Sequence, residues 1–115
     1  MPYEENGINA HVHFKPTETT LEKIKNLKQG ERLLKYNLSR RRIFADKPAP
    51  TIVTKPIYVH PIYDRLLTPR ELARIQSFPD DFKFTGSKTS MVKQIGNAVP
   101  PKMAKEIANN LKNLI

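Results

Sequence analysis

RLLTPRELARIQSFPDDFKF, at Arg65 to Phe84, and KQIGNAVPPKMAKEIA, at Lys93 to Ala108, carry the densest structural instructions in the chain. In the first, Thr68 is placed to cap a helix. Pro69 suits its first position, and Glu71 completes T-P-R-E as a capping box. A helix over 66–77 follows, with Leu72, Ala73 and Ile75 on its buried face. Proline disfavours helical geometry in the residue before it, so the helix is expected to stop at Phe78-Pro79. FPDDFKF then reads as a turn anchored by three phenylalanines. In the second stretch, residues 87–95 form a short helix with Met91, Val92 and Ile95 apolar. Pro100-Pro101 starts a final helix. Its Met103, Ile107 and Leu111 recur every four residues and are joined by Ala104, Ala108 and Ile115. A small chain has little surface with which to cover that face, which points to docking on a partner.

Working outward toward the N-terminus, residues 17–30 read as a helix, with Thr19 and Glu22 spaced as a capping box and Gly30 ending it. Before it, INAHVHF alternates as a strand or extended arm, placing His11 and His13 on one face. A metal site on that pair would need a third ligand, and none follows at useful spacing. Between the two helical regions lies SRRRIFADKPAPTIVTKPIYVHP. Its TIV and IYV read as short strands that the prolines confine to edges or strand ends. The region is expected to be a small, irregular β layer.

Composition sets the outer limits. A chain of 115 residues, 38% hydrophobic and 27% charged, can fold around a modest core. Ten prolines and a mean hydropathy of −0.56 indicate irregular backbone between short elements. Twenty Lys and Arg against eleven Asp and Glu give a net charge of +9, which suits a polyanion such as nucleic acid. A basic solvated surface accounts for the same number. No apolar run approaches the ~20 residues of a membrane span, and the first ten residues lack the pattern of a secretory leader. A soluble, cytoplasmic protein without membrane attachment is expected. The absence of cysteine excludes a disulfide, a thiolate metal site and a cysteine nucleophile within these residues.

The two opening stretches closely resemble the ninth and tenth motifs of the DNA (cytosine-5) methyltransferases, in that family's order and near its spacing, and cover about half of the chain. The resemblance implies an α+β fold. A small irregular β-containing recognition region would be followed by helices that complete a Rossmann-like S-adenosylmethionine-dependent methyltransferase domain. Its divisions would be residues 1–64 for a short target-recognition region, 65–84 for the ninth-motif helix and turn, and 85–115 for the cofactor-closing segment and last helix. Thr68, Pro69, Glu71, Phe78 and Pro79 would then be architectural, and Arg70 and Arg74 would meet phosphate or carboxylates across a domain junction. Gly96 would let backbone pass close to the cofactor, Asn97 and Ala98 would contact it, Val99 would line the site, and Pro100 would begin the next helix. A plain turn ahead of a proline-initiated helix is the alternative reading of Gly96-Asn97. Upstream, SRRRIFADKPAPTIV is similar to the family's R-x-x-x-D-x-P-x-x-T-I run. On that match Arg40, Arg41, Arg42 and Lys47 are candidate ligands of phosphate or guanine in double-stranded DNA.

Members of this family need a thiolate, a nearby carboxylic acid and a glycine-rich cofactor turn, acting on a base rotated out of the duplex. The chain has no cysteine, no F-x-G-x-G, no P-C-Q and no E-N-V. The resemblance therefore implies a C-terminal portion or small subunit of such an enzyme. It would contribute target recognition and part of a shared S-adenosylmethionine site, with no catalytic residue and no metal of its own. A larger methyltransferase subunit, or a missing N-terminal catalytic region, would supply the rest. The two pieces are expected to meet through the final helix and the Leu72/Ile75 face. The alternative is a non-catalytic DNA-binding remnant or interaction protein derived from such an enzyme.

Overall fold

A computed structural model describes residues 4–5, 7–33, 41–54 and 58–114. Two strands, β1 (Glu4–Glu5) and β2 (Ile8–Asn9), precede four helices: α1 (Glu18–Lys25), α2 (Pro69–Ile75), α3 (Lys88–Asn97) and α4 (Pro101–Asn113). The strands pair antiparallel, Glu4 opposite Asn9 and Glu5 opposite Ile8. Beyond Asn9 the expected strand does not continue. Residues 11–17 are irregular, although the rings of His11 and His13 do come together, their centroids 5.1 Å apart.

Helix α2 forms as its sequence requires. The Thr68 hydroxyl accepts from the Glu71 amide, the Glu71 carboxylate accepts from the Thr68 amide, and Pro69 occupies the first turn. It ends earlier than the proline argument placed it. Ser77 adopts φ +70°, its amide donates to Arg74 O, and the Phe78 amide donates to Ala73 O. That pattern is a Schellman motif with serine in the left-handed position usually held by glycine. Helix α1 is capped by Thr17 rather than Thr19, because the Thr17 hydroxyl reaches the Thr20 amide. Helix α3 is capped by Ser87 and runs through Asn97, two residues past its expected end.

The β layer is sparser than expected. Thr51 to Val53 forms no ladder, and Val59 makes only isolated bridges to Arg42 and Leu66. Residues 55–57, including the first residue of IYV, lie outside the described residues. Extended segments instead add side chains to one core. Ala10, Ile43, Ile52 and Tyr58 meet Leu67, Leu72, Ala73 and Phe84, together with Met91, Val92 and Ile95 of α3. Burial of this kind is worth roughly 1.5–3 kcal/mol for each large side chain. Residues on both sides of position 64 share that core.

Two buried arginines tie the segments together. Arg70, 1% exposed, donates to Asn9 O, Asn9 Oδ1, Pro79 O and Phe82 O, and its guanidinium lies 5.2 Å from the centre of the Phe84 ring. Asn9 in turn donates to Phe84 O and accepts from the Phe84 amide. The Phe78, Phe82 and Phe84 rings stand 5.0–5.1 Å from one another, so FPDDFKF is anchored as its composition suggests. Arg42, 4% exposed, donates to the carbonyls of Ile24, His60 and Tyr63 and to the Asp64 carboxylate. A buried guanidinium stripped of such partners is costly, which makes both side chains structural.

Candidate functional site

The QIGNAVPP run sits where α3 ends and α4 begins. Gly96 does not form a loop turn there, because α3 continues through it. It is glycine because the chain's own backbone presses against it. A Cβ at this position would fall on the Val53 carbonyl, 2.6 Å from its carbon and 2.8 Å from the Thr54 nitrogen. The close backbone approach at Gly96 is made by the segment before residue 55, and Gly96 also borders the space beside it. Beside this contact lies an open cleft of about 530 Å³. Ala49, Pro50, Thr51 and Ile52 contribute to it, as do Ile75 and Gln76 and, from the motif, Gly96, Ala98 and Pro100. The Gln76 amide steadies the motif by donating to Ile95 O at 3.2 Å and Ala98 O at 3.5 Å.

Of the three expected cofactor contacts, only Ala98 lines this cleft. Asn97, the last residue of α3, is exposed, and its side chain makes no hydrogen bond among the described residues. Val99 is 58% exposed. Neither lines the cleft, because the helix carries Asn97 past it and the extended cap leaves Val99 on the surface. For S-adenosylmethionine the lining supplies aliphatic side chains, the Thr51 hydroxyl, the Gln76 amide and backbone. It supplies no carboxylate for an ammonium or ribose and no aromatic ring for adenine. The residues fit one side of such a cofactor and not the whole of it.

The four DNA candidates separate. Arg40 lies outside the described residues. Arg41 is half-buried and Lys47 exposed, so both remain at the surface. Arg42 does not, because it is 4% exposed and both terminal guanidinium nitrogens are taken by internal carbonyls and Asp64, which turns it away from a base or phosphate. Arg70 is likewise unavailable for the contacts expected of it, while Arg74 is paired with Asp80 at 2.8 Å. Sequence reasoning missed the inward use of Arg42 and Arg70, since nothing local marks an arginine whose acceptors are distant carbonyls. It also missed Arg65, which donates twice to Glu71, at 2.7 and 2.9 Å. Burial opposes the charged form of Glu71. The Arg65 and Thr68 hydrogen bonds and the nearby positive charge outweigh it, holding the carboxyl at about 2.

Helix α4 stands apart from the core. None of its residues is buried; Met103, Ile107, Leu111 and Leu114 are 57%, 49%, 55% and 82% exposed. Its Pro100 cap has no side-chain acceptor to offer, and the Ser77 hydroxyl accepts from the Lys102 amide instead. Leu72, expected at the docking face with this helix, is 1% exposed and belongs to the internal core, whereas Ile75 is 37% exposed.

Residues 3–113 match the C-5 cytosine-specific DNA methylase family. The chain belongs to that family. Among curated members, it is 39% identical over 108 residues to a candidate type II methyltransferase of Methanocaldococcus jannaschii, M.MJ0563P, covering 89% of this chain and 35% of the relative. It is 38% identical to the type II methyltransferase M.AquIB of a Picosynechococcus species, covering 88% of this chain and 85% of the relative. Among solved structures, a candidate DNA modification methyltransferase encoded within an E. coli prophage superposes with a TM-score of 0.79 at 35% identity, over 93% of this chain and 29% of that one. The chain thus spans about a third of the archaeal and prophage proteins and most of M.AquIB. Among the described residues no helix is long and apolar enough to cross a membrane, and no three His, Cys, Asp or Glu come together as a metal site.

Proposed function

We propose that this chain is the C-terminal portion or small subunit of a DNA (cytosine-5) methyltransferase, and that it works only when assembled with the piece bearing the catalytic cysteine. One observation carries the proposal: a member of this family, matched over residues 3–113, has no cysteine with which to attack cytosine. The match of M.AquIB over 85% of its length supports a short chain of this kind as a component in its own right.

In the assembled enzyme, residues 1–64 would face double-stranded DNA through Arg40, Arg41 and Lys47, with Arg42 bracing the region from inside. Residues 65–84 would be the rigid support, and 85–115 would close the cofactor pocket and dock on the catalytic piece through α4. Gly96, Ala98 and Pro100 would hold one side of the S-adenosylmethionine site, with the exposed Asn97 amide available at the junction. When bound, that cofactor supplies the methyl group. This chain's residues orient and enclose, leaving bond-making to groups on the other piece. No metal is required of this chain, and the setting would be the cytoplasm of a bacterium or archaeon, in a restriction-modification system.

The test is to mix the purified chain with a family member's catalytic piece that carries P-C-Q and E-N-V but lacks the ninth and tenth motifs. Transfer of labelled methyl from S-adenosylmethionine to cytosine in duplex DNA should rise well above that of the catalytic piece alone. No gain would sink the proposal and leave a non-catalytic DNA-binding remnant as the better reading.

A further inference from the structure

Away from the cleft, the loop after Arg42 holds an aromatic ring in a fixed and partly open position. Gly30, with φ +87°, has no side chain, and the Phe44 ring fills that space. A Cβ on Gly30 would lie 2.8 Å from Phe44 Cε2 and against Cζ. The backbone on either side of Phe44 is tethered as well. The Gly30 amide donates to Arg42 O at 2.7 Å, and the Ala45 amide donates to Gln29 Oε1 at 3.1 Å. Gln29 is itself anchored by its amide donating to Pro61 O. Phe44 nonetheless remains 39% exposed, and Lys47 Nζ stands 4.2 Å from its ring centre. The isolated backbone bridge between Arg32 and Arg41 brings two more cationic residues to the segments that carry Gly30 and Phe44. Asp46, exposed in the same bend, carries the opposing charge.

We infer that Phe44 and Lys47 form one DNA contact point, the ring lying against the apolar face of a base or sugar and Nζ reaching a backbone phosphate. The inference rests on the reading that this chain faces DNA, and it adds a residue that the charge pattern did not single out. An ordered, half-exposed ring loses little conformational freedom on contact. A lysine parked over it by cation–π attraction is held near the place where a phosphate would arrive, and that attraction, worth ~0.5–1 kcal/mol at an exposed site, is weak enough to be exchanged. The two side chains should leave different signatures. Phosphate contact releases counterions and is salt-dependent; ring contact is not.

The experiment measures binding of the chain, assembled with the cysteine-bearing piece, to a fluorescent duplex by anisotropy, between 50 and 200 mM salt. Lys47→Gln should lower the slope of log K against log salt by about 0.9, the loss of one phosphate contact. Phe44→Ala should weaken binding roughly five- to tenfold at every salt concentration and leave the slope unchanged. Phe44→Leu, which still fills the space over Gly30, should lose most of the same affinity and decides the matter if the alanine variant fails to fold. Asp46→Asn should tighten binding. Wild-type affinity and slope in both the Lys47→Gln and Phe44→Leu proteins, with Arg41→Gln weakened, would overturn this contact point while leaving the DNA-facing reading intact. No gain in duplex binding by the assembled wild type over the cysteine-bearing piece alone would overturn both.

Discussion

The hydroxyl of Ser77 accepts a hydrogen bond from the Lys102 amide at 3.2 Å, so the residue that terminates α2 also caps α4. Pro100, in the capping position, has no side-chain acceptor. One serine therefore does two things that usually need two residues. It takes the left-handed conformation, at a cost of about 1 kcal/mol for a non-glycine residue, and it satisfies an orphan amide 25 positions away. Ser77→Ala keeps the strain and loses the acceptor. We expect it to destabilise the α4 start by about 1 kcal/mol, seen as faster hydrogen exchange at the Lys102 amide, whereas Ser77→Asn, which tolerates φ > 0 and retains an acceptor, should stay close to wild type.

Glu71 is the second junction, where capping box and ion pair share one carboxylate. Its carboxyl is held at about 2 against an ordinary value of 4.5. A depressed carboxyl contributes stability that is present above its unfolded value and is lost as pH falls toward the folded one. The loss should run from about pH 4.5 to about pH 2 and total roughly 3 kcal/mol. His60 adds to it from the neutral side. Burial and the charges of Arg65 and Arg42 press its ionisation below the usual histidine range, only partly offset by Glu71, so acid also favours the unfolded chain there. In Glu71→Gln the stability at pH 7 should drop and its decline between pH 4.5 and 2 should flatten, as followed by urea unfolding at successive pH values. An unchanged acid limb would remove Glu71 as its source.

Local chemistry made some of the structure legible. Thr68, Pro69, Glu71 and Ser87 act within three residues of themselves, and their helices begin where the sequence places them. Thr17 outcompeted Thr19 because three threonines within four positions offer alternative caps and only geometry selects among them. The TIV strand failed for a different reason. A strand is defined by a partner, and Thr51–Val53 instead lays its backbone on Gly96 and its Ile52 side chain in the core. Arg42 and Arg70 were illegible as structural residues because their acceptors lie 9–61 residues away, so runs such as RRR read as surface charge. In the candidate site, motif resemblance pointed to the end of α3, which borders the cleft. The side-chain directions of Asn97 and Val99 depended on how far that helix ran, which pattern alone does not fix.

Gly96 offers a test of the wall it helps to form. Adding one methyl group in Gly96→Ala would drive Cβ into the Val53 carbonyl, and the obstacle is backbone that cannot rotate away. Overpacking of this kind costs about 1–3 kcal/mol. Because Ala49–Ile52 and Gly96 border the same cleft, relief by moving the upstream segment should also open the proposed cofactor wall. The expected outcome is a lower Tm and, in the assembled enzyme, a raised KM for S-adenosylmethionine. A KM equal to wild type would mean that the segment before residue 55 shifts without disturbing the pocket.

The exposed face of α4 yields the sharpest separation between folding and assembly. Ile107 and Leu111 are 49% and 55% exposed, and no α4 residue is buried, so replacing either with glutamate removes little that the isolated chain uses. Glutamate is also a good helix former. Ile107→Glu and Leu111→Glu should therefore leave stability within about 0.5 kcal/mol of wild type. Their effect should appear on mixing with the cysteine-bearing piece. A charge forced into an apolar interface typically removes 2 kcal/mol or more, about thirtyfold in affinity, and methyl transfer should fall in proportion when the chain is limiting. Titrating each variant into the catalytic piece by calorimetry gives the affinity directly. Wild-type affinity in both would place the docking surface elsewhere and leave α4 with some other partner.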